Sequence, residues 1–127
     1  MQDLTFVVGE DRAVAEIWEI LGEASIQMEA SCTFPRLEGR VVHVVVSDDD
    51  ADAADDTLRA TGFIPLDRRP VLIIDFVPRA GALGDIARKV ADAGAKLYIM
   101  YMATGDRVVI GATELDKVAA ALEVSLG

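Results

Sequence analysis

Short apolar runs alternate with amphipathic stretches along the first half of the chain. The run Leu4 to Val8 is typical of a strand, and Val14, Ile17 and Leu21 recur at the spacing of one helical face. Ser47 followed by three aspartates is typical of a helix N-terminus. The predicted elements are a strand at 4–8, a helix at 12–24, strands at 26–34 and 40–46, a helix at 51–60 and a short strand at 63–66.

The second half repeats this pattern. Its predicted elements are a strand at 71–77, a helix that begins near Leu83, strands at 96–103 and 107–112, and a helix at 114–123. With an offset of 69 residues and no gap, the apolar positions coincide: Val77 falls on Val8, Leu83 on Val14, Ile86 on Ile17, Val90 on Leu21 and Ala93 on Ala24. Residues 124–127 follow the last helix, so we expect the fourth strand of the second half to be short or absent.

The order strand, helix, strand, strand, helix, strand predicts a ferredoxin-like βαββαβ unit. Such a unit forms an antiparallel sheet with both helices on one face. The sequence therefore predicts an α+β protein with two of these units in tandem, at residues 1–69 and 70–127. Each unit alone is small for an independent hydrophobic core, so we expect the two to pack together.

Composition and charge exclude several classes of protein. The chain has 127 residues, of which 52% are hydrophobic and 27% are charged, so it is too apolar to be disordered. Its longest apolar runs, such as Val71 to Ile74, are too short to span a bilayer. Lys and Arg number 12 against 22 Asp and Glu, and the net charge of -10 would repel a phosphate backbone. We therefore expect neither nucleic acid nor a membrane as a partner.

The residue types that most often carry catalysis or bind metals lack partners in this sequence. His43 is the only histidine and Cys32 the only cysteine, and neither has the neighbours that a metal site or a catalytic centre requires. The acidic run from Asp48 to Asp56 resembles a calcium loop only at its start, because Ala53 and Arg59 replace the required glycine and glutamate. We therefore expect no enzyme activity, metal or cofactor. The single cysteine, without a secretory leader, favours the cytoplasm.

One loop is a candidate binding site. Residues 77–83 lead from a predicted strand into a predicted helix, and Gly81 lies just before Leu83, the first apolar residue of that helix. Glycine permits backbone conformations that are closed to other residues, and it leaves the N–H groups of the helix start open to an anion such as a carboxylate. By itself this pattern is weak, since many helices begin after glycine for local reasons.

The second half resembles the ACT domain. Its Arg79-Ala80-Gly81-Ala82-Leu83, followed by an amphipathic helix and then Ala93-Gly94-Ala95-Lys96-Leu97, is similar to the family pattern of Asp-Arg-Pro-Gly-x-Leu, a helix and Gly-Ile-Asn-Ile. The first half resembles the family more loosely, through the repeat. The resemblance implies tandem ACT units that pair side by side and bind a free amino acid between the strand-to-helix loop of one unit and the second strand of its neighbour.

The resemblance also implies which residues bind the ligand. They are the residues of the loop and one amide from the first half: Arg79, Ala80, Gly81, Ala82, Leu83 and Gln27. A secondary or vestigial site, closed by salt bridges, would contain the charged residues of the first loop and the lysine that faces them: Glu10, Asp11, Arg12 and Lys96. The offset places Arg12 where Gly81 stands, and its long side chain would block an approaching anion. We therefore predict one ligand per chain.

Two functions remain open. The first is a non-catalytic regulatory module that binds a free amino acid at the interface between ACT units and signals through association with another protein, such as an enzyme or regulator of amino-acid metabolism. The alternative is a structural or dimerising ACT-like protein with no small-molecule ligand. We expect a homodimer or a strand borrowed from the first unit, because a second unit without its fourth strand leaves the edge of the strand at 71–77 unpaired.

Overall fold

The chain contains two compact units, each built from an antiparallel sheet and two helices. The structure, a computed structural model, describes residues 1–126. The first unit is Met1–Arg69, and the second begins at Pro70. Within the described residues, no helix has the length and apolar character needed to cross a lipid bilayer.

The first unit has a four-stranded sheet. Its elements are β1 (Gln2–Val8), α1 (Asp11–Glu23), β2 (Ala30–Pro35), β3 (Arg40–Val46), α2 (Asp48–Ala60) and β4 (Asp67–Pro70). The strand order is β2-β3-β1-β4, and both β1 and β2 pair antiparallel with β3. Helix α2 begins as the sequence predicts, because the Ser47 hydroxyl accepts a hydrogen bond from the Asp50 N–H at 3.2 Å.

The core of the first unit lies between one face of its sheet and both helices. Side chains alternate between the two faces of a strand, so Leu4 and Phe6 share the face that α1 and α2 cover. The fully buried residues of this layer come from two strands and both helices: Leu4, Phe6, Ile17, Leu21, Val42, Val44, Val46, Ala51, Ala54 and Leu58. The predicted placement of both helices on one face of the sheet is confirmed.

The second unit has a three-stranded sheet. Its elements are β5 (Leu72–Asp75), α3 (Ala82–Asp92), β6 (Leu97–Ala103), β7 (Arg107–Ala112) and α4 (Leu115–Ala121). The strand order is β5-β7-β6, with both pairings antiparallel. Residues 122–126 form no strand, which confirms a second unit with its last strand absent in the described range. Strand β5 therefore lies at the edge of this sheet. A fourth strand borrowed from the first unit stays a prediction.

The predicted strand at 63–66 is wrong, and β4 forms four residues later. Gly62, at φ 94°, ends α2, and the Phe63 N–H then donates to the Leu58 carbonyl at 2.9 Å. The Phe63 side chain packs against the first core as part of the connection. Backbone pairing with β1 begins only where the Leu66 N–H donates to the Thr5 carbonyl at 2.7 Å. The charged stretch Asp67–Pro70 thus supplies one edge strand of this sheet.

The predicted strand at 26–34 begins later than expected. The Ile26 N–H donates to the Leu21 carbonyl at 2.9 Å, and Ser25 takes a positive φ of 57°, so the chain is still turning out of α1 there. Ile26 and Met28 are half-buried against the core, which explains their apolar character. Strand β2 itself starts at Ala30.

Candidate functional site

The loop between β5 and α3 exposes the start of a helix. Gly81 is the N-cap of α3 and takes a left-handed conformation at φ 86°, and no side chain caps this helix through a hydrogen bond. A Cβ added at Gly81 would have one neighbour within 4 Å, the Arg79 Nη1 at 3.6 Å. The first N–H groups of a helix have no partner inside the helix. The Ala82 N–H donates to the Arg79 carbonyl in the loop at 3.1 Å, which leaves the N–H groups of Leu83 and Gly84 for an anion.

A cavity of about 310 Å³ lies at this helix start. Pro78, Arg79 and residues 81–84 form the wall from the loop, and Phe76, Met102 and Asp106 complete the lining. Of the loop residues predicted from the sequence, Arg79, Gly81, Ala82 and Leu83 line this cavity. Ala80 does not line it, but its carbonyl accepts a hydrogen bond from Arg79 Nη1 at 3.1 Å.

Asp106 is a residue of this cavity that the sequence did not indicate. It lies in the turn between β6 and β7 with φ 52°, and its carbonyl accepts a hydrogen bond from the Phe76 N–H at 3.0 Å. The turn is thereby tied to the end of β5, beside the loop. In the sequence Asp106 looks like an ordinary turn residue, and only the pairing of β7 with both neighbouring strands brings it to the cavity.

Arg79 is held at the loop by an ion pair. Its Nη2 binds the carboxylate of Asp85 in the first turn of α3, and both side chains are more than half exposed. The ion pair thus places the guanidinium beside the cavity. An incoming carboxylate has to share Arg79 with Asp85 or displace that carboxylate.

A second cavity occupies the equivalent place in the first unit. It measures about 340 Å³, and its lining comes from α1, β2 and β3: Asp11, Val14, Ala15, Trp18, Thr33 and Arg40. With the offset of 69 residues, Val14, Ala15 and Thr33 correspond to Leu83, Gly84 and Met102 of the cavity in the second unit. The repeat therefore preserves a cavity at the same position of each unit.

The two cavities differ in chemistry. In the first unit Asp11 forms an ion pair with Arg40 of β3, a partner that the sequence did not indicate. The Trp18 indole is fixed in the wall, because its Nε1 donates to the Ser31 hydroxyl at 3.0 Å. Glu10 is the N-cap of α1 and Arg12 lies exposed in its first turn, and neither lines the cavity.

Comparisons with known proteins give structural relatives only. No family model matches the chain, and no curated protein matches its sequence. A protein from Bacteroides thetaiotaomicron superposes with a TM-score of 0.77 at 25% identity, over 96% of this chain and 85% of that chain. The regulatory subunit of aspartate kinase from Thermus thermophilus superposes with a TM-score of 0.71 at 17% identity, over 97% and 89%. Aspartate kinase from Synechocystis gives 0.69 at 13% identity, over 99% of this chain but 26% of that chain.

The chain has the tandem ACT fold. Each of its two ACT units has the strand-to-helix loop that the sequence predicted, at residues 9–10 and 76–81. The fold is assigned from structural similarity, because the sequence identity to the aspartate kinase regulatory subunits is only 17%.

Two predicted site residues lie outside both ACT loops. Gln27 is exposed in the connection between α1 and β2, not in a strand as expected, and its Nε2 donates to the Met28 carbonyl at 3.3 Å. Lys96 is exposed just before β6, and its N–H donates to the Thr113 hydroxyl at 3.0 Å. Their roles at a ligand site stay predictions.

The first ACT unit also contains a buried polar cluster that the sequence did not reveal. Asp3 Oδ2 accepts a hydrogen bond from the Thr5 hydroxyl at 2.8 Å and lies 2.9 Å from His43 Nδ1. Asp3 is 1% exposed and His43 8% exposed, and the Phe34 ring stacks on the imidazole at 5.9 Å. His43 thus has partners, but none of these side chains lines either ACT cavity. Within residues 1–126, no group of three or more His, Cys, Asp or Glu side chains could hold a metal ion.

Proposed function

We propose that this protein is a non-catalytic regulatory module that binds a free amino acid at the loop around Gly81. The observation that carries this proposal is the cavity of about 310 Å³ at the uncapped start of α3. Helix N-termini bind carboxylates through free N–H groups and the positive end of the helix dipole. Arg79 adds a guanidinium beside the same N–H groups.

The lining of the cavity provides a place for each part of an amino acid. The α-carboxylate binds the N–H groups at the start of α3 and Arg79, both of which favour an anion. The α-ammonium binds the carboxylate of Asp106, which also lines the cavity. Phe76 and Met102 offer apolar surface to the aliphatic part of the side chain.

Occupancy of this site would act through association with another protein. The structural relatives include regulatory subunits of aspartate kinase. By analogy we infer a role for this chain in regulating an enzyme or regulator of amino-acid metabolism. A ligand can change such an association only by its different affinity for the two states.

A thermal-shift screen of the twenty standard amino acids tests the proposal. A ligand at about a hundred times its dissociation constant stabilises the folded state by roughly 2.7 kcal/mol, which raises Tm by several degrees in a protein of this size. We expect at least one amino acid to do so, and Gly81→Val to abolish the shift.

The alternative is a structural or dimerising ACT protein without a small-molecule ligand. One observation favours it, since Asp85 already neutralises the guanidinium that an incoming carboxylate would use. This alternative predicts no Tm shift with any of the twenty amino acids. Isothermal calorimetry on the same set at millimolar concentration separates it from weak binding.

A further inference from the structure

The second unit has another, larger cavity next to the cavity at the start of α3. It measures about 450 Å³ and extends along α3. It shares Phe76, Arg79 and Ala82 with the cavity at the helix start. A molecule bound at the start of α3 can therefore extend along the helix without leaving the protein surface.

The wall of this larger cavity is strongly basic. Three cations line it, Arg79, Arg88 and Lys89, against one carboxylate, Asp85, and that carboxylate is bound to Arg79. Arg88 and Lys89 thus have no carboxylate of their own among the lining residues. The whole chain carries a net charge of -10, so the local charge of this wall is opposite in sign to the net charge. A cleft lined by one sign of charge concentrates small molecules of the opposite sign.

The rest of the lining is apolar. Phe76 and Ile86 contribute apolar surface, and Val77 is 78% exposed beside them. Exposed apolar surface next to cations suits a ligand with a short aliphatic segment that ends in an anion. A neutral side chain would form no ion pair with Arg88 or Lys89, and a basic side chain would be repelled by them.

We propose that the ligand is an acidic amino acid. This inference rests on the function proposed above and adds the chemical class of the side chain. The α-carboxylate binds the start of α3, the methylene groups lie on Phe76 and Ile86, and the side-chain carboxylate binds Arg88 and Lys89.

Calorimetry on the full chain tests this class. L-glutamate and L-aspartate are compared with L-glutamine, L-asparagine and L-lysine, each at low and at high salt. We expect glutamate to bind at least tenfold more tightly than glutamine, and aspartate at least tenfold more tightly than asparagine. L-lysine should bind most weakly. The difference should narrow as salt screens the exposed cations.

A double variant links the preference to the basic wall. Arg88→Gln with Lys89→Gln should reduce the difference between glutamate and glutamine to less than threefold, with the affinity for glutamine unchanged. The control is Arg36→Gln with Arg59→Gln, which removes the same charge at exposed positions of the first unit and should leave the difference intact. Circular dichroism verifies that both variants are folded.

The outcomes distinguish this inference from the proposed function. If no amino acid binds, the function proposed for the Gly81 loop fails, and the acidic ligand fails with it. If a neutral or basic amino acid binds as tightly as the acids, the proposed function stands and the acidic class is wrong. A preference for acids that survives in the Arg88 and Lys89 double variant also overturns the assignment to this wall.

Discussion

The ring of Tyr98 lies directly over Gly111 of the neighbouring strand. A Cβ at position 111 would come within 2.6 Å of the ring carbons Cε2 and Cζ, a distance that real side chains do not tolerate. The Tyr98 hydroxyl donates to the Pro70 carbonyl at 3.0 Å, which ties β6 to the residues before β5. Gly111 is therefore required by packing and not by backbone conformation, since its φ is not positive.

Gly111→Ala should destabilise the protein. Overpacking of this kind costs about 1–3 kcal/mol, because the ring or the strands must shift. The matched control is Gly22→Ala in α1, where a Cβ meets nothing within 4 Å. That change should stabilise the helix by roughly 0.5–1 kcal/mol. Urea unfolding of both variants measures the difference, and equal midpoints would contradict the close approach of Tyr98.

Gly81→Val should abolish amino-acid binding and leave the protein folded. The new side chain covers the N–H groups at the start of α3. Gly81 has a positive φ of 86°, a conformation that strains the backbone of valine. The control variant must therefore carry the same strain. Gly94→Val provides it, because Gly94 has φ 82° at the other end of α3 and no neighbour within 4 Å. Calorimetry should find one ligand per chain in Gly94→Val and none in Gly81→Val, whereas full affinity in Gly81→Val would move the site elsewhere.

Substitutions at Arg79 and Asp85 should change the affinity for the amino acid in opposite directions. Arg79→Gln removes a charge-assisted hydrogen bond to the ligand, which is worth about 1.5–3 kcal/mol and therefore tenfold or more in affinity. Asp85→Asn releases Arg79 from its ion pair and should tighten binding severalfold. Calorimetry with the same amino acid measures both. Weaker binding in both variants would mean that the ion pair shapes the loop and does not compete with the ligand.

Asp106→Asn should weaken binding with little change in stability. The amide keeps the shape of the side chain, and asparagine tolerates the positive φ of 52° at this position. What is lost is the charge that attracts the α-ammonium. An affinity for the amino acid equal to that of the unaltered protein would remove Asp106 from the site.

Asp3 and Thr5 should be energetically coupled. Asp3 is buried, and its Oδ2 accepts a hydrogen bond from the Thr5 hydroxyl and lies 2.9 Å from His43 Nδ1, so either single change removes one partner from this cluster. Asp3→Ala should cost about 1–3 kcal/mol. In a double-mutant cycle with Thr5→Val we expect a coupling of at least about 0.5 kcal/mol. Additive effects would show that the two side chains act independently.

A homodimer is predicted from the open edge of β5. A strand at the edge of a sheet has unpaired N–H and C=O groups along one side, and proteins usually cover or pair them. Light scattering over a micromolar concentration series should give twice the chain mass of 13.6 kDa. A monomer throughout that range would show that the edge is protected in another way.

The local pattern of apolar residues determined much of this protein. Helix α1 matches its predicted bounds to within one residue, and the Ser47 cap lies where its sequence places it. These features depend on neighbours in the chain, because helical spacing and capping act over three or four residues. The motif from Arg79 to Leu83 likewise located the loop at Gly81 and carried the ACT resemblance, which the repeat across 69 residues extended to the first half.

Features that join distant parts of the chain were decided only by the tertiary structure. The charged residues of β4 have no strand pattern of their own, and pairing with β1 makes them a strand. His43 lacks a partner in sequence, and the antiparallel register of β1 with β3 places it opposite Thr5 and within reach of Asp3. Asp106 meets the Gly81 loop because the turn it occupies is tied to Phe76. Helical spacing and capping depend on residues that are close in the sequence. Strand register and loop closure depend instead on the balance of contacts over the whole unit.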